Sequence, residues 1–256
     1  MSMATYQTFS DAAGKPESDT WCVVAGFLST SARWQVFAER WKSLLVEHEV
    51  AYLQMSSLHA RQGIFRDPKW EDGAYMASFL DAAGTIIRSC VEMWAVDIVS
   101  FADFAKAVTV NPGLAKYTNA YGLCGTAITL RMQMPHTWNH FPQRLSIQHF
   151  FEEGDRGTAN IAKVFEYCGM QSLVVAPGKP HRTSERPYYV QFQAADWLAF
   201  ENRKLISKYG HVTADKLHFR KSLKSLVHGL KGATKVWTYD DLLQFCAIKK
   251  ARRQME

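Results

Sequence analysis

An uninterrupted apolar run at residues 21–29, Trp-Cys-Val-Val-Ala-Gly-Phe-Leu-Ser, sets the strongest limit on how this chain can fold. Its β-branched and aromatic members favour a strand, and the lack of polar alternation predicts that the strand is buried on both faces. Residues 4–10 predict an earlier strand that ends at Ser10-Asp11, before a turn at residues 12–16. We expect the two strands to form an antiparallel hairpin.

Helical periodicity dominates the rest of the chain and alternates with short apolar stretches. At residues 31–48 the apolar side chains recur at helical spacing, and Ser31 is a candidate N-cap. Helices are predicted over 31–48, 71–89, 114–133, 157–169, 191–209, 213–229 and 239–251, and further strands over 51–55, 92–100, 145–151 and 171–175. This alternation predicts a single α/β domain over 1–256, with a mixed central sheet flanked by helices and a helical C-terminal part at about 190–251.

The cysteines and the first residues indicate a reducing compartment. The five cysteines are an odd number at wide spacings, which predicts neither a disulfide framework nor a zinc ribbon: Cys22, Cys90, Cys124, Cys168 and Cys246. Reduced thiols are typical of cytoplasmic proteins. The N-terminus lacks the basic-then-apolar pattern of a signal peptide, and no apolar run reaches the roughly 18 to 20 residues that span a bilayer. We therefore expect a cytoplasmic protein with no membrane contact.

Positive charge is concentrated near the end of the chain. The formal net charge is +6, and basic residues cluster at 216–224 and 249–253. Such clusters suit a polyanion, chiefly through phosphate contacts, so DNA or RNA is a candidate partner. A solvated helix face and a frayed tail explain the same residues equally well, and both interpretations stay open.

Acidic side chains stand at three places that favour a metal site. Asp11 ends the predicted first strand, and Glu152 and Asp155 follow the strand predicted over 145–151. Asp196 lies inside an apolar helix, where a carboxylate is costly unless a metal, a cation or hydrogen bonds compensate it. Mg²⁺ and Mn²⁺ prefer hard oxygen ligands, and a pair of such ions can activate water for phosphodiester hydrolysis.

Each of these acids also has an interpretation without a metal. Asp11 suits a turn, where its side chain accepts backbone N–H bonds. Glu152 and Asp155 suit a helix N-terminus, which Asp155 would cap and whose dipole favours acids. Asp196 suits an ion pair with a nearby Arg or Lys. Glu201 is an outside candidate, because five residues along a helix is a poor match for one face.

Six short sequence motifs, spread over most of the chain, form a recognisable combination. They are Phe9-Ser-Asp-Ala-Ala-Gly14, the apolar run at 21–29, Arg33 to Trp41 with its two tryptophans seven apart, Leu53-Gln-Met-Ser-Ser-Leu58, Phe151-Glu-Glu-Gly-Asp155 and Val190 to Ala199. The last segment resembles a Gln-x-Ala-Asp-x-x-Ala helix and is the most specific. Together they resemble the domain of unknown function 3800 family, a group of bacterial and phage-associated proteins.

The resemblance implies a ribonuclease H-like fold with an acidic cluster at one end of its sheet. Carried over residue by residue, it makes Asp11, Glu152, Asp155 and Asp196 the catalytic and metal-binding residues, with Mg²⁺ or Mn²⁺ as the cofactor. The implied activity is metal-dependent nuclease cleavage of phosphodiester bonds. The implied context is phage defence or mobile-element biology.

Two departures from the family pattern favour a second interpretation. The second acid of the family's first motif is Ala12 here, and the family's usual histidine near the third strand is Gln54. Either change is consistent with a catalytically degenerate subunit that binds nucleic acid or protein in a larger complex. A homo-oligomer, or a partner protein in a defence complex, would fit that interpretation.

Histidines and one basic loop complete the candidates. His136 and His140 have the i, i+4 spacing of a zinc site, but flanking prolines and the lack of a following glutamate favour a loop. His149 lies close to the acids and suits either proton transfer or simple packing. The loop Lys179 to Arg186 suits either contact with a phosphate backbone or solvent exposure. The chain has no glycine-rich nucleotide loop and no nucleophile elbow.

Overall fold

The computed structural model describes one sheet and the helices around it, over residues 5–133, 146–153, 157–167, 173–179, 188–210 and 221–245. The strands are β1 Tyr6–Ala13, β2 Trp21–Thr30, β3 Met93–Ser100, β4 Ile147–Glu152, β5 Leu173–Ala176 and β6 Lys231–Trp237. The α-helices are α1 Ser31–Glu47, α2 Met55–His59, α3 Gly73–Cys90, α4 Phe101–Val110, α5 Gly113–Tyr117, α6 Ala120–Gln133, α7 Thr158–Tyr167, α8 Gln191–Tyr209 and α9 Lys221–Val227. Residues 239–245 are also helical.

The six strands lie in the order β5-β4-β1-β2-β3-β6. β2 is antiparallel to both of its neighbours, β1 and β3. The other pairs, β1–β4, β4–β5 and β3–β6, are parallel, so β2 alone runs against the rest of the sheet. The predicted α/β fold, with a mixed central sheet flanked by helices, is therefore confirmed.

The two faces of the sheet are covered by different helices. We call the side covered by α1, α3, α8 and α9 the front face, and the side covered by α4, α5, α6, α7 and residues 239–245 the back face. Residues 21–29 are all buried, as the apolar run predicts, because β2 carries helices on both sides. No helix in the described part of the chain is long and apolar enough to cross a bilayer.

The local sequence accounts for the first helix, with one correction. The predicted stripe is buried against the front face, and its members are Trp34, Phe37, Trp41, Leu44 and Leu45. The N-cap, however, is Thr30 rather than Ser31, because the Thr30 hydroxyl accepts the N–H of Arg33 at 3.3 Å. Thr30 ends β2, so the strand passes directly into α1.

Three predicted boundaries are wrong. β1 continues to Ala13, so Asp11 lies inside the strand and pairs opposite Ala25 rather than ending it. Residues 51–55 form no strand among the described elements, since α2 begins at Met55. The helix predicted over 114–133 is two helices, because the Asn119 side chain accepts the N–H of Gly122 at 2.7 Å and caps α6 separately.

Besides the short helix α2, the elements α4 and β6 were not predicted. α4 begins where the Ser100 hydroxyl accepts the N–H of Asp103, directly after β3. β6 lies inside the C-terminal part that was expected to be helical. Its exposed residues give it no apolar run, and it forms by parallel pairing with β3, which is far away in sequence.

Several predicted features lie outside the described residues. They include Asp155, His136, His140, Cys168, Cys246, the loop from 180 to 186, most of the basic segment 216–224 and the whole of 249–253. Cys22, Cys90 and Cys124 are buried free thiols, as expected for reduced cysteines.

Candidate carboxylate site

The order of the strands creates a switch point between β1 and β4. From β1 the chain passes to β2 and β3 on one side, whereas β4 and β5 lie on the other side. In open α/β sheets, ligands bind outside the carboxyl ends of the strands at such a point. Ser10 pairs with Phe151, so the next residues, Asp11 and Glu152, lie beside each other at that end.

Side-chain alternation directs both carboxylates to the front face. Ala12 packs against the back core and Ala13 against the front core, so Asp11 faces the front. Phe150 lies in the front core and Phe151 in the back core, so Glu152 faces the front as well. Asp11 is buried, and its Oδ1 accepts the N–H of Ala12 at 2.7 Å.

A glycine allows the loop after β5 to approach Glu152 closely. A Cβ atom on Gly178 would lie 2.6 Å from Glu152 Oε1 and 3.0 Å from the Cβ of Phe192. Gly178 therefore lies close both to the Glu152 carboxylate and to the start of α8. Only a residue without a side chain fits at position 178 without displacing the carboxylate.

Asp196 brings a third carboxylate to the front face from α8, which packs across β1 and β2. Its Oδ2 accepts the backbone N–H of Met55 at 2.8 Å. The pKa of Asp196 is raised to about 6, mainly by burial and to a smaller extent by the negative charge of Glu152. The Met55 N–H and the charges of Lys179 and Arg203 oppose this rise.

The basic side chains near Asp196 act on it without forming an ion pair among the described residues. Arg203 instead binds Asp19 in the β1–β2 loop, with Nη1 and Oδ1 at 2.5 Å. Lys179 is exposed and follows Gly178. An ion pair was the predicted alternative for Asp196, and the described residues do not provide one.

Gln193 is a buried polar residue that stands at the Gln of the Gln-x-Ala-Asp-x-x-Ala pattern, but the sequence analysis predicted no role for it. Its Oε1 accepts the N–H of Leu53 at 2.8 Å and the indole N–H of Trp41 at 3.0 Å. It precedes Asp196 by one helical turn, so the two side chains lie on the same side of α8. The i, i+3 spacing of two polar residues within an apolar helix is the signal that could have identified it.

The donor set fits a divalent cation in its chemistry. Glu152 and Asp196 repel each other electrostatically, which a hard cation would relieve. Among the described residues, hydrogen bonding engages Oδ2 of Asp196 and leaves its Oδ1 available. Asp11 lies on the same face. The described residues nevertheless contain no group of three His, Cys, Asp or Glu side chains close enough to hold a metal ion as they stand.

His149 lies on the opposite side of the sheet from these acids. Its ring nitrogens are 2.9 Å from Thr8 Oγ1 and 3.1 Å from Gln133 Nε2. Burial lowers the pKa of His149 to about 3, so the ring is neutral at physiological pH. Of the two predicted roles for this histidine, the structure therefore supports packing and not proton transfer at the carboxylates.

The back face has a buried carboxylate of its own, which the sequence analysis did not identify. Asp97 is fully buried, and its oxygens accept N–H bonds from Arg131 at 2.8 and 3.3 Å and from the Trp237 indole at 2.8 Å. Burial raises the pKa of Asp97, and the Arg131 hydrogen bonds and charge counteract that rise. This carboxylate has the partners of a structural ion pair.

Comparisons with known proteins give little information about the family or function of this chain. No family model matches its sequence, and no curated protein matches it. One solved structure that does match is described as "Crystal structure of Bst-RNase HIII in complex with Mn2+", at 11% sequence identity and a TM-score of 0.40. The match covers 88% of this chain and 65% of that chain, so this chain spans less than two thirds of its length. A likeness at this level assigns neither an activity nor a site.

Proposed function

We propose that the chain is a nuclease that hydrolyses phosphodiester bonds in DNA or RNA with a divalent cation, Mg²⁺ or Mn²⁺. The observation that carries the proposal is the pair Glu152 and Asp196. These carboxylates influence each other electrostatically at the switch point of the sheet. Burial is the main cause of the raised pKa of Asp196, the charge of Glu152 adds to it, and no ion pair among the described residues offsets it. Perturbed carboxylates of this kind are concentrated at functional sites.

In this proposal the acidic residues on the front face would coordinate the cation together. Glu152 and Asp196 would ligate through their carboxylate oxygens, Asp11 would add a donor from β1, and Asp155 is proposed as a further ligand. A bound divalent cation supplies a water of lowered pKa and neutralises charge on the leaving oxygen. Asp196 must lose its proton to ligate, which its pKa of about 6 allows at neutral pH.

The nucleic acid would be held by basic residues beside these acids. Lys179 is exposed, and it is near enough to Asp196 to lower the pKa of that carboxyl. The basic segments 216–224 and 249–253 are further candidates for phosphate contacts. The resemblance to the domain of unknown function 3800 family, with its association with phage, suggests a role in phage defence or mobile-element biology, and we propose that context on the resemblance alone.

A second candidate is a binding subunit without activity, either as a homo-oligomer or within a defence complex. It is favoured by the lack of three clustered donors among the described residues. The two departures from the family pattern do not weigh equally. Ala12 packs against the back core, so an acid there would not face the carboxylates. Gln54 lies between Leu53 and Met55, whose N–H groups bind Gln193 and Asp196, so this departure is beside the site.

The test is cleavage of single-stranded DNA, duplex DNA, RNA and RNA–DNA hybrid with and without Mg²⁺ or Mn²⁺. We expect cleavage that requires the metal. Asp196→Asn and Glu152→Gln should each lower its rate at least about 100-fold, since changes outside the ligand set already cost about 10- to 100-fold.

The matched control is Asp81→Asn, the same chemical change at an exposed position on α3. It should leave cleavage unchanged. Metal-dependent cleavage that survives in both Asp196→Asn and Glu152→Gln would refute the proposed site. Binding of nucleic acid without cleavage in any metal would support the binding subunit instead.

A further inference from the structure

An irregular segment between α1 and α2 lies against α8 like an added strand. Gln54 has extended backbone angles, with φ −130° and ψ 116°, so the N–H groups on either side of it point the same way. The N–H of Leu53 reaches Gln193 Oε1 at 2.8 Å, and the N–H of Met55 reaches Asp196 Oδ2 at 2.8 Å. Two side chains one turn apart on α8 thus accept two alternate N–H groups of this segment.

Gln193 is the more tightly fixed of the two acceptors. It is 3% exposed, and its Oε1 also accepts the indole N–H of Trp41 from α1. Its Nε2 is buried and has no hydrogen-bond partner among the described residues. Turning the amide over would place its N–H₂ against two other donors, so the two hydrogen bonds at Oε1 determine its orientation.

We propose that Gln193 is a positioning residue that presents Asp196 to the cation, an inference that rests on the proposed function. By holding Leu53, Gln193 fixes the segment so that the Met55 N–H stays on Oδ2 of Asp196. The carboxylate is then oriented by a backbone donor, and its Oδ1 is reserved for the cation. Residues that orient metal ligands in this way commonly set metal affinity.

The test compares wild type with Gln193→Met, which keeps the length of the side chain but removes the acceptor. Calorimetric titration with Mn²⁺ should show an affinity about tenfold weaker in the variant. Amide hydrogen exchange in the metal-free protein should be faster at Leu53 and also at Met55, although Met55 does not contact Gln193. Faster exchange at Met55 distinguishes a positioning role from a contact limited to Leu53.

The matched control is Gln191→Met, the same change at another buried glutamine of α8. The Gln191 amide donates to the backbone oxygen of Trp34 at 3.4 Å and not to the 53–55 segment. Gln191→Met should leave Mn²⁺ affinity and the rate of Met55 amide exchange unchanged.

Two further variants of Gln193 test the role of its oxygen. Gln193→Glu, which keeps an acceptor oxygen, should keep the Met55 amide protected from exchange. If Gln193→Met does not fold, Gln193→Asn withdraws the same oxygen by one methylene and should also speed Met55 exchange.

The possible failures are distinguishable. Unchanged Met55 exchange in Gln193→Met, an equal loss in Gln191→Met, or no protection in Gln193→Glu would each overturn the positioning role. Wild-type protein that binds no Mn²⁺ would overturn the proposed function and, with it, the role of Gln193 toward a cation.

Discussion

Asp97 on the back face of the sheet and the partly buried Asp196 on the front face have opposite surroundings. On the back face, Asp97 is fully buried and receives hydrogen bonds from Arg131 and Trp237. On the front face, Asp196 receives one backbone N–H and is repelled by Glu152. Burial raises the pKa of both groups, but only Asp97 has a paired cation among the described residues.

The difference separates a carboxylate whose partners belong to the fold from one that we propose is open to a ligand. A charge that is paired and hydrogen-bonded has little capacity left for a metal, whereas an under-compensated carboxylate is costly to the folded state. Proteins retain such costs mainly at functional sites. The contrast therefore supports the front face as the site, and four predictions test the two faces.

The largest effect is expected from Arg131→Met on the back face. The change leaves Asp97 buried without its cation, so the free energy of unfolding should fall by about 3 to 5 kcal/mol. Urea denaturation at pH 7 measures the loss. The double variant with Asp97→Asn should recover much of it, because no buried charge is then left unpaired.

The front face gives the opposite result in the same assay. Asp196→Asn should leave the free energy of unfolding unchanged or higher at pH 7. The pKa of Asp196 in the folded state is about 6 against an ordinary 3.8, so its charged form is disfavoured by folding. A large loss of stability in Asp196→Asn would mean that both carboxylates are structural, and the contrast between the faces would disappear.

An intermediate effect on the free energy of unfolding is expected from a change in pH, because His149 on the back face is buried in its neutral form. Burial lowers the pKa of His149 from 6.5 to about 3, so below pH 6.5 the unfolded chain takes up a proton that the folded chain does not. The free energy of unfolding should therefore fall as pH drops from 6.5 towards 3, by up to about 1.4 kcal/mol per pH unit from this group.

Denaturation of wild type and His149→Gln across that range measures this contribution, because carboxylates titrate in both proteins and cancel in the difference. The variant should have the shallower dependence on pH. Parallel curves for the two proteins would show that His149 is protonated in the folded state, contrary to its buried setting.

The smallest change in stability is expected from Gly178→Ala on the front face. The new methyl group would lie 2.6 Å from Glu152 Oε1, the end of a flexible side chain that can move at a cost of about 1 kcal/mol or less. Displacing that oxygen should nevertheless weaken Mn²⁺ binding several-fold, measured by calorimetric titration. Gly73→Ala is the control, since nothing lies within 4 Å of its added Cβ. Equal Mn²⁺ affinity in both variants would remove Glu152 from the site.

The candidate acids could be named from the sequence, but their arrangement could not. Strand alternation predicts correctly that neighbouring residues of β1 and β4 face opposite sides, yet no local pattern states that Asp11 and Glu152 are adjacent. Their adjacency depends on the parallel pairing of two strands separated by more than 130 residues in the chain. Whether the four named acids form one metal site stays a prediction, and Asp155 lies outside the described residues.

The sequence by itself determined the elements whose signals are local. The apolar run at 21–29 requires cover on both faces, and the stripe that begins at Trp34 requires one buried helix face, because side-chain direction follows from backbone geometry. Only the tertiary structure decided the strand order, the pairing of Asp97 with Arg131, and the hold of Gln193 on Leu53. These depend on contacts between residues far apart in the chain, whose free energy exists only once the sheet and its helices have assembled.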